Sequence, residues 1–393
     1  MRRCFRALCK FASGVALAVP LHAARAETLL YAFKAGNDGA VAYSGLIKDS
    51  AGNLYGTTWW GGGSNCGDIG CGTVYRITPT GNETLLYSFK GGNDGAWPYG
   101  GLIKDSAGNL YGTTYQGGTD NAGTVFKLTP NGIETVLHSF GPGNDGGFPY
   151  GDLIIDSKGN LYGTTSGGGI GGNGTVFKVA HNGTEKVLYA FAGYPKDGAN
   201  PWAGLTRDGS GNLYSTTEYG GAHNSGTIFK LAPNGKESLL YTFTGGNNTD
   251  GAWPFGGLIK DSAGNLYGTT TGGGVYSGGT VFKVAPNGAE TVIYAFAGYP
   301  NDGSFPGAGL IADSAGNVYG TTAYGGMGNA GTVFKLAPNG TETVLYAFTG
   351  GSDGANPAAH LTIDKGRLYG TTYQGGGTGC FENGCGTVFN LAE

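Results

Sequence analysis

Four cysteines in two matched pairs are the first residues whose type and spacing could do chemistry: Cys66 and Cys71 in GSNCGDIGC, and Cys380 and Cys385 in GTGCFENGC. Each pair sits inside one short Gly-rich stretch, which favours Cys66–Cys71 and Cys380–Cys385 disulfides over the other connectivities. The alternative is a Cys4 zinc site built across two loops, although structural zinc prefers the closer C-x2-C spacing. Beyond the N-terminal segment the histidines are His138, His181, His223 and His360, which fall at unrelated places and offer no ligand set, so no metal or cofactor is expected. No Ser-His-Asp elbow, HExxH or phosphate-binding loop occurs, and the GGGIGGNG run at 167–174 does not lead into a helix. Arg207, Glu218 and His223 make the one cluster that would serve an enzyme. Catalytic residues are therefore not assigned.

The second kind of chemistry is aromatic. All five tryptophans lie in Gly-rich segments: Trp59 and Trp60 side by side, then Trp97, Trp202 and Trp253 next to or near a proline. Tyr115, Tyr219, Tyr324 and Tyr373 follow the YGTT or YSTT strings, with Gln116, Gln374, Asn121 and Asn224 nearby. Aromatic faces beside amides suit sugar rings, which offer a C–H face for stacking and hydroxyls for hydrogen bonds. Trp97, Trp202 and Trp253 are expected to plug gaps between neighbouring structural units. Adjacent bulky rings at Trp59 and Trp60 cannot both point inward easily, so these two, with Tyr373 and Gln374, are the candidate ligand contacts.

Composition limits what can position such residues. With 82 Gly and 15 Pro in 393 residues, a mostly helical protein is excluded. Residues 1–26 read as a secretory signal peptide: Arg2, Arg3, Arg6 and Lys10 precede an apolar run from Phe11 to Leu21, and cleavage is expected after Ala26. That run is too short to span a bilayer. The remaining chain has 18 Lys+Arg against 27 Asp+Glu, net −9, because the segment removes five of the 23 basic residues and no acidic one. An acidic exported protein is expected to leave nucleic acid and anionic lipid alone, and its compartment, extracellular or periplasmic, agrees with the disulfides.

One unit recurs seven times, starting at Thr28, Thr84, Thr135, Lys186, Ser238, Thr291 and Thr343, with spacings of 56, 51, 51, 52, 53 and 52 residues. That period belongs to propellers and other repeat arrays. Four short β-rich segments occupy each unit, of the types GLIKD, NLYGTT, GTVFKL and ETVLYAF, separated by DSAGN and TPNG turns or by Gly-rich loops. The chain opens on an ETLLYAF segment and closes on GTVFNL, so one strand is spare at the start and one is missing at the end. The expectation is an all-β, seven-bladed propeller over 27–393, its blades running GLIKD to ETVLYAF from the axis outward and its ring closed by the N-terminal strand. An open β-solenoid is the competing architecture. The recurrent Phe and Tyr positions are read as blade-to-blade packing, and the two recurrent Asp sets, Asp49 to Asp364 and Asp38 to Asp353, as turn-forming side chains bonding their own backbone.

The string LIKDSAGNLYGTTYQGGTDNAGTVFKLTPNGIETVL resembles the GloVer tandem repeat of bacterial "choice-of-anchor" surface and secreted proteins, and DSAGNLY is similar to NHL-type propeller repeats. The resemblance covers the chain from about residue 28 onward and implies an exported repeat protein, in that family often attached to the envelope. The final Asn390-Leu391-Ala392-Glu393 carries no sorting motif, so anchoring is not expected from it. Functionally, the first expectation is a binding module for a glycan or envelope polymer. A structural or protein-interaction scaffold comes next, and a polysaccharide lyase or hydrolase third. The site is expected where the first and last blades meet, among Trp59, Trp60, Tyr373 and Gln374.

Overall fold

The computed structural model describes residues 27–63, 66–141, 143–245, 250–377, 379–380 and 383–393. The signal-peptide reading of residues 1–26 lies outside them. The described residues form seven antiparallel sheets arranged as propeller blades, with a further two-stranded ribbon in each of blades 4, 5 and 6. Blade 2 shows the pattern: Ile103–Lys104, Leu110–Thr114, Thr124–Leu128 and Glu134–Ser139, hydrogen-bonded in that order. In blade 7, Thr362–Asp364, Arg367–Thr372 and Thr387–Ala392 come from the C-terminus, and the outer strand is Thr28–Ala32 from the N-terminus. Its register pairs Thr28 with Asn390 and Ala32 with Thr387. The spare strand thus fills the vacancy, as the sequence implied.

Each repeat motif has a local physical task. In the DSAGN turns of blades 1 to 6 the aspartate accepts the backbone N–H and side-chain amide of the asparagine four residues on, and the hydroxyl of the tyrosine six on; Asp156 does so at 2.9, 2.8 and 3.0 Å. The loop aspartates accept a backbone N–H and also reach across to a tyrosine of an outer strand, Tyr189 Oη to Asp197 at 2.8 Å and Tyr346 Oη to Asp353 at 3.0 Å. His138 replaces that tyrosine in blade 2 and keeps the interaction, 3.3 Å from Asp145. The second Thr of each GTT or STT string meets the Thr of the next strand through a buried hydroxyl pair, 2.6 to 2.9 Å apart in all seven blades. Polar groups thereby enter the core already satisfied.

Blades hold one another through aromatics and hydroxyls. Phe89 of blade 1 meets Phe126 of blade 2 edge-on at 5.1 Å, and Phe33 meets Tyr75 across the ring closure at 5.0 Å. Gly112 leaves room for this, since a Cβ there would stand 2.8 Å from Phe126 Cζ. The first Thr of the same string donates to the next blade, as in Thr164 to Ala203 O at 2.9 Å and Thr371 to Ser44 O at 3.0 Å. On the turn face, Lys48 of blade 1 binds Asp364 of blade 7 at 2.6 Å and lies over the Tyr369 ring.

Two tests follow from this architecture. Deleting 27–33 exposes the edge of Thr387–Ala392, so the truncated protein should aggregate and melt earlier; unchanged solubility and melting would overturn the ring closure. The second concerns pH. Burial, and behind it a facing loop carboxylate, pushes Glu27, Glu83, Glu134, Glu185, Glu237 and Glu290 up to about 7 and Glu342 up to about 8. Burial opposes ionisation of the turn aspartates too, but there the Asn and Tyr hydrogen bonds outweigh it and hold Asp105, Asp156, Asp208 and Asp313 below the usual range. The glutamates bind protons more tightly when folded, so their contribution is present at low pH and is lost as pH rises through about 7. The aspartates' contribution is lost as pH falls below about 4. Calorimetry should therefore show a higher Tm at about pH 5 than at about pH 8, with a decline below about pH 4. A flat or reversed profile between the first two values would contradict it.

Candidate functional site

The long connections gather on the face opposite the tight turns, where each chain segment runs inward and down the axis as the first strand of its blade. Extended backbone alternates its side chains. Leu46, Leu102 and their equivalents therefore turn into the core, while every second residue faces the axial channel. Three layers result. The uppermost holds Tyr43, Tyr99, Tyr150, Trp202 and Phe255 in blades 1 to 5, but Gly307 and Ala358 in blades 6 and 7. The middle holds Gly45, Gly101, Asp152, Gly204, Gly257, Gly309 and His360. Below come Ile47, Ile103, Ile154, Thr206 and their counterparts.

All three layers line a cavity of about 550 Å³ along the axis, its upper part walled by the rings. Its wall is a chain of rings: Tyr373 stacks on Tyr43 at 4.5 Å, Tyr43 leans on Tyr99 at 5.2 Å, and Tyr99 stacks on Tyr150 at 4.3 Å. Tyr150 meets Trp202 edge-on at 4.8 Å and Phe255 at 5.4 Å. The small residues of blades 6 and 7 leave a gap, flanked by Phe305 and Tyr324, which are 47% and 43% exposed. Burial first, and a neighbouring phenol second, push Tyr43 up to about 12 and the hydroxyls of Tyr99 and Tyr150 further. These rings remain neutral at any working pH, so they offer apolar faces and O–H donors.

Charge in the cavity comes from the middle layer. Asp152 and His360 approach each other from blades 3 and 7 over the glycines of blades 1 and 2, Oδ2 and Nδ1 3.3 Å apart. Gly101 N–H donates to Asp152 Oδ1, and a Cβ on Gly45 would collide with the His360 ring at 2.0 Å. Outside the wall, Glu218 lies near the Trp202 indole and the Tyr219 hydroxyl; burial raises its carboxyl above the usual range, and those two donors pull it partly back. Among the described residues, no lysine or arginine lines the cavity.

Of the residues expected at the seam, Tyr373 lines this cavity. Trp59 packs against Tyr43 at 5.9 Å and Tyr99 at 5.1 Å, behind the wall, and Trp60 stacks on Trp59 at 4.7 Å. Both rings are half-buried. Gln374 exchanges backbone hydrogen bonds with Ala355 beside them. The disulfides Cys66–Cys71 and Cys380–Cys385 are both present, which removes the zinc alternative.

Two expectations are corrected. Trp97 does tie neighbouring blades, its Nε1 donating to Gly70 O at 3.2 Å, but Trp253 is 45% exposed and Trp202 lines the cavity. The reason is that the residue before each proline stays at the rim and the residue after it reaches the axis. Arg207, Glu218 and His223 do not form a cluster: Arg207 pairs with Leu213 at the turn end of its blade, and Glu218 follows Thr217 at the opposite end. The axial aromatics and the Asp152–His360 pair escaped the sequence reading. Their signal was present, since GDLIID and AHLTID depart from GGLIKD at the same place.

The sequence pattern of the Gloeobacter/Verrucomicrobia repeat matches residues 11–209 and 183–389, and the chain belongs to that family. No curated protein is detectably similar in sequence. Among solved structures, the chain is similar to the extracellular domains of two hybrid two-component systems from B. thetaiotaomicron. For one, the TM-score is 0.57 at 12% identity over 93% of this chain and 39% of that one; for the other it is 0.57 at 13% over 94% and 41%. A puromycin hydrolase is similar with a TM-score of 0.54 at 14% identity, over 85% and 50%. The chain thus spans less than half the length of the sensor domains, and the likeness is one of fold.

Each disulfide closes a short loop, so its loss should cost at most about 2 kcal/mol through the unfolded chain. Replacing Cys66 and Cys71 by Ser is expected to lower Tm only slightly while raising proteolytic nicking between residues 59 and 72. Collapse of the cooperative transition would show instead that the bridge holds the blade together.

Proposed function

We propose that this protein is an exported binding module that captures a glycan or related envelope polymer at the axial mouth of its loop-rich face, with Trp59, Trp60, Tyr373 and Gln374 shaping the edge of the site at the seam. The observation that supports it is the cavity of about 550 Å³ walled by stacked rings, with Tyr hydroxyls, Asp152 and His360 among its polar groups. Such a shape suits a sugar, whose C–H face stacks while its hydroxyls find Tyr O–H groups and backbone carbonyls. The rings are braced against one another, so little side-chain freedom is lost when a ligand arrives. Export is supported by the two disulfides and by the basic-then-apolar N-terminal segment.

The test is retention of the protein on a panel of insoluble polysaccharides and cell-wall fractions, with soluble oligosaccharides as competitors. Trp202→Ala removes a ring from the mouth and should weaken capture at least tenfold, about 1.4 kcal/mol, with a near-native melting curve. Trp59→Ala with Trp60→Ala removes the support of Tyr43 and Tyr99 and should weaken capture in the same direction. Retention that is blind to Trp202→Ala would displace the site from the mouth. Absence of glycan retention, together with specific capture of a surface protein, would favour the scaffold reading.

A further inference from the structure

The middle layer of the channel carries side chains in two blades only, and one of them is a carboxylate. Among the seven residues of that layer five are glycine, while Asp152 and His360 lean toward each other across the space the glycines leave. Their side chains remain 38% and 33% exposed, so both still face the channel. Above them stand the faces and edges of Tyr43, Tyr99, Tyr150 and Trp202, neutral because burial holds the phenols protonated. Glu218 adds a second acid just behind Trp202. With neither lysine nor arginine among the described lining residues, this is an aromatic pocket with a carboxylate, and a histidine beside it, in its middle layer, inside an acidic protein.

Resting on the reading of the mouth as the binding site, we propose that its occupant presents a positively charged amine, as a glycan with free amino groups does, seated with the ammonium over Asp152 and against the aromatic wall. An ammonium gains from ring quadrupoles as well as from the carboxylate, and a desolvated setting strengthens both. A neutral sugar gains only stacking and hydrogen bonds. A uronate or other anion meets Asp152 with His360 beside it but with no lysine or arginine among the described lining residues to offset the repulsion.

The closing experiment separates charge selectivity from glycan binding. Tetramethylammonium and tert-butanol have similar shape, and their dissociation constants are measured by saturation-transfer NMR at about pH 8. The cation should bind about tenfold tighter or better than the alcohol. Asp152→Asn and Asp152→Gly should reduce that ratio to near one. The glycine variant places in blade 3 the residue that five other blades carry there, so it is expected to fold. Equal binding of the two probes, or a ratio that survives both substitutions, would overturn the inference and leave Asp152 a structural group. In parallel, glucosamine and N-acetylglucosamine oligomers are compared at about pH 6, where the free amine is charged, and the former should bind tighter to wild type. If tetramethylammonium shows the selectivity and neither oligomer nor any polysaccharide binds, the glycan reading fails and the cationic site stands. If the acetylated oligomer binds as well as the amine and tetramethylammonium shows no preference, the reverse holds.

Discussion

The glycine that opens each third strand, from Gly72 to Gly386, sits at φ between +92° and +100°, a backbone state that a side chain would strain. A Cβ on Gly123 would also stand 2.5 Å from the Thr114 carbonyl oxygen and 2.6 Å from Pro149 of the next blade. The close approach this permits lets the preceding carbonyl receive a hydrogen bond from the neighbouring blade: Trp97 N to Cys71 O at 2.8 Å, Phe148 N to Ala122 O at 2.7 Å, Val41 N to Cys385 O at 2.7 Å. The donor is always the residue before the proline position, and in all seven blades it is a non-glycine at φ +54° to +62°. Such conformations cost roughly 1–3 kcal/mol each and persist where the surroundings over-determine them. Here the inter-blade hydrogen bond does so, and it also aims the next residues down the axis. The channel layers follow from that direction.

At the ring closure the interlock keeps its hydrogen bond, but Ala42 stands where blades 2 to 7 have proline. The two disulfides lie where this matters. The carbonyls of Cys385 and Cys71 are themselves the acceptors, from Val41 N–H and Trp97 N–H, on either side of blade 1, and each cysteine is tethered to its own loop. The covalent bridges therefore fix the backbone on both flanks of blade 1, the blade at which the chain closes the ring through its N-terminal strand. Their role is local geometry at a seam, which explains why two bridges suffice for seven blades.

Periodicity carried the architecture in the sequence because every blade repeats the same solution, and the unmatched terminal strands announced the closure. The turn aspartates were legible for the same reason. What the repeat could not announce was how the register around proline divides the aromatics: Trp97 and Tyr99 are two residues apart, yet one stays at the rim and the other faces the axis. The Arg207, Glu218 and His223 grouping failed on strand geometry, since residues on a hairpin can be neighbours in sequence and sit at opposite ends of a blade. Asp152 and His360 were hidden by their separation along the chain, which the ring brings to 3.3 Å.

A symmetric scaffold becomes a site only where its copies differ. Positions that hold the blades together vary little among the seven copies, as the buried Thr pairs and the inter-blade Phe rings show. The axial positions vary freely, from Tyr to Trp, Phe, Gly and Ala in the upper layer, because residues facing a channel answer to its contents and not to the neighbouring blade. Two small residues in blades 6 and 7 open one side of the aromatic wall, and two non-glycines below it bring polar groups into the middle layer. Sevenfold equivalence would have produced either a closed ring of phenols or an empty tube of glycine. The departures from the repeat instead give the cavity an entrance and walls of different chemistry, so that its two sides and its two ends are no longer equivalent.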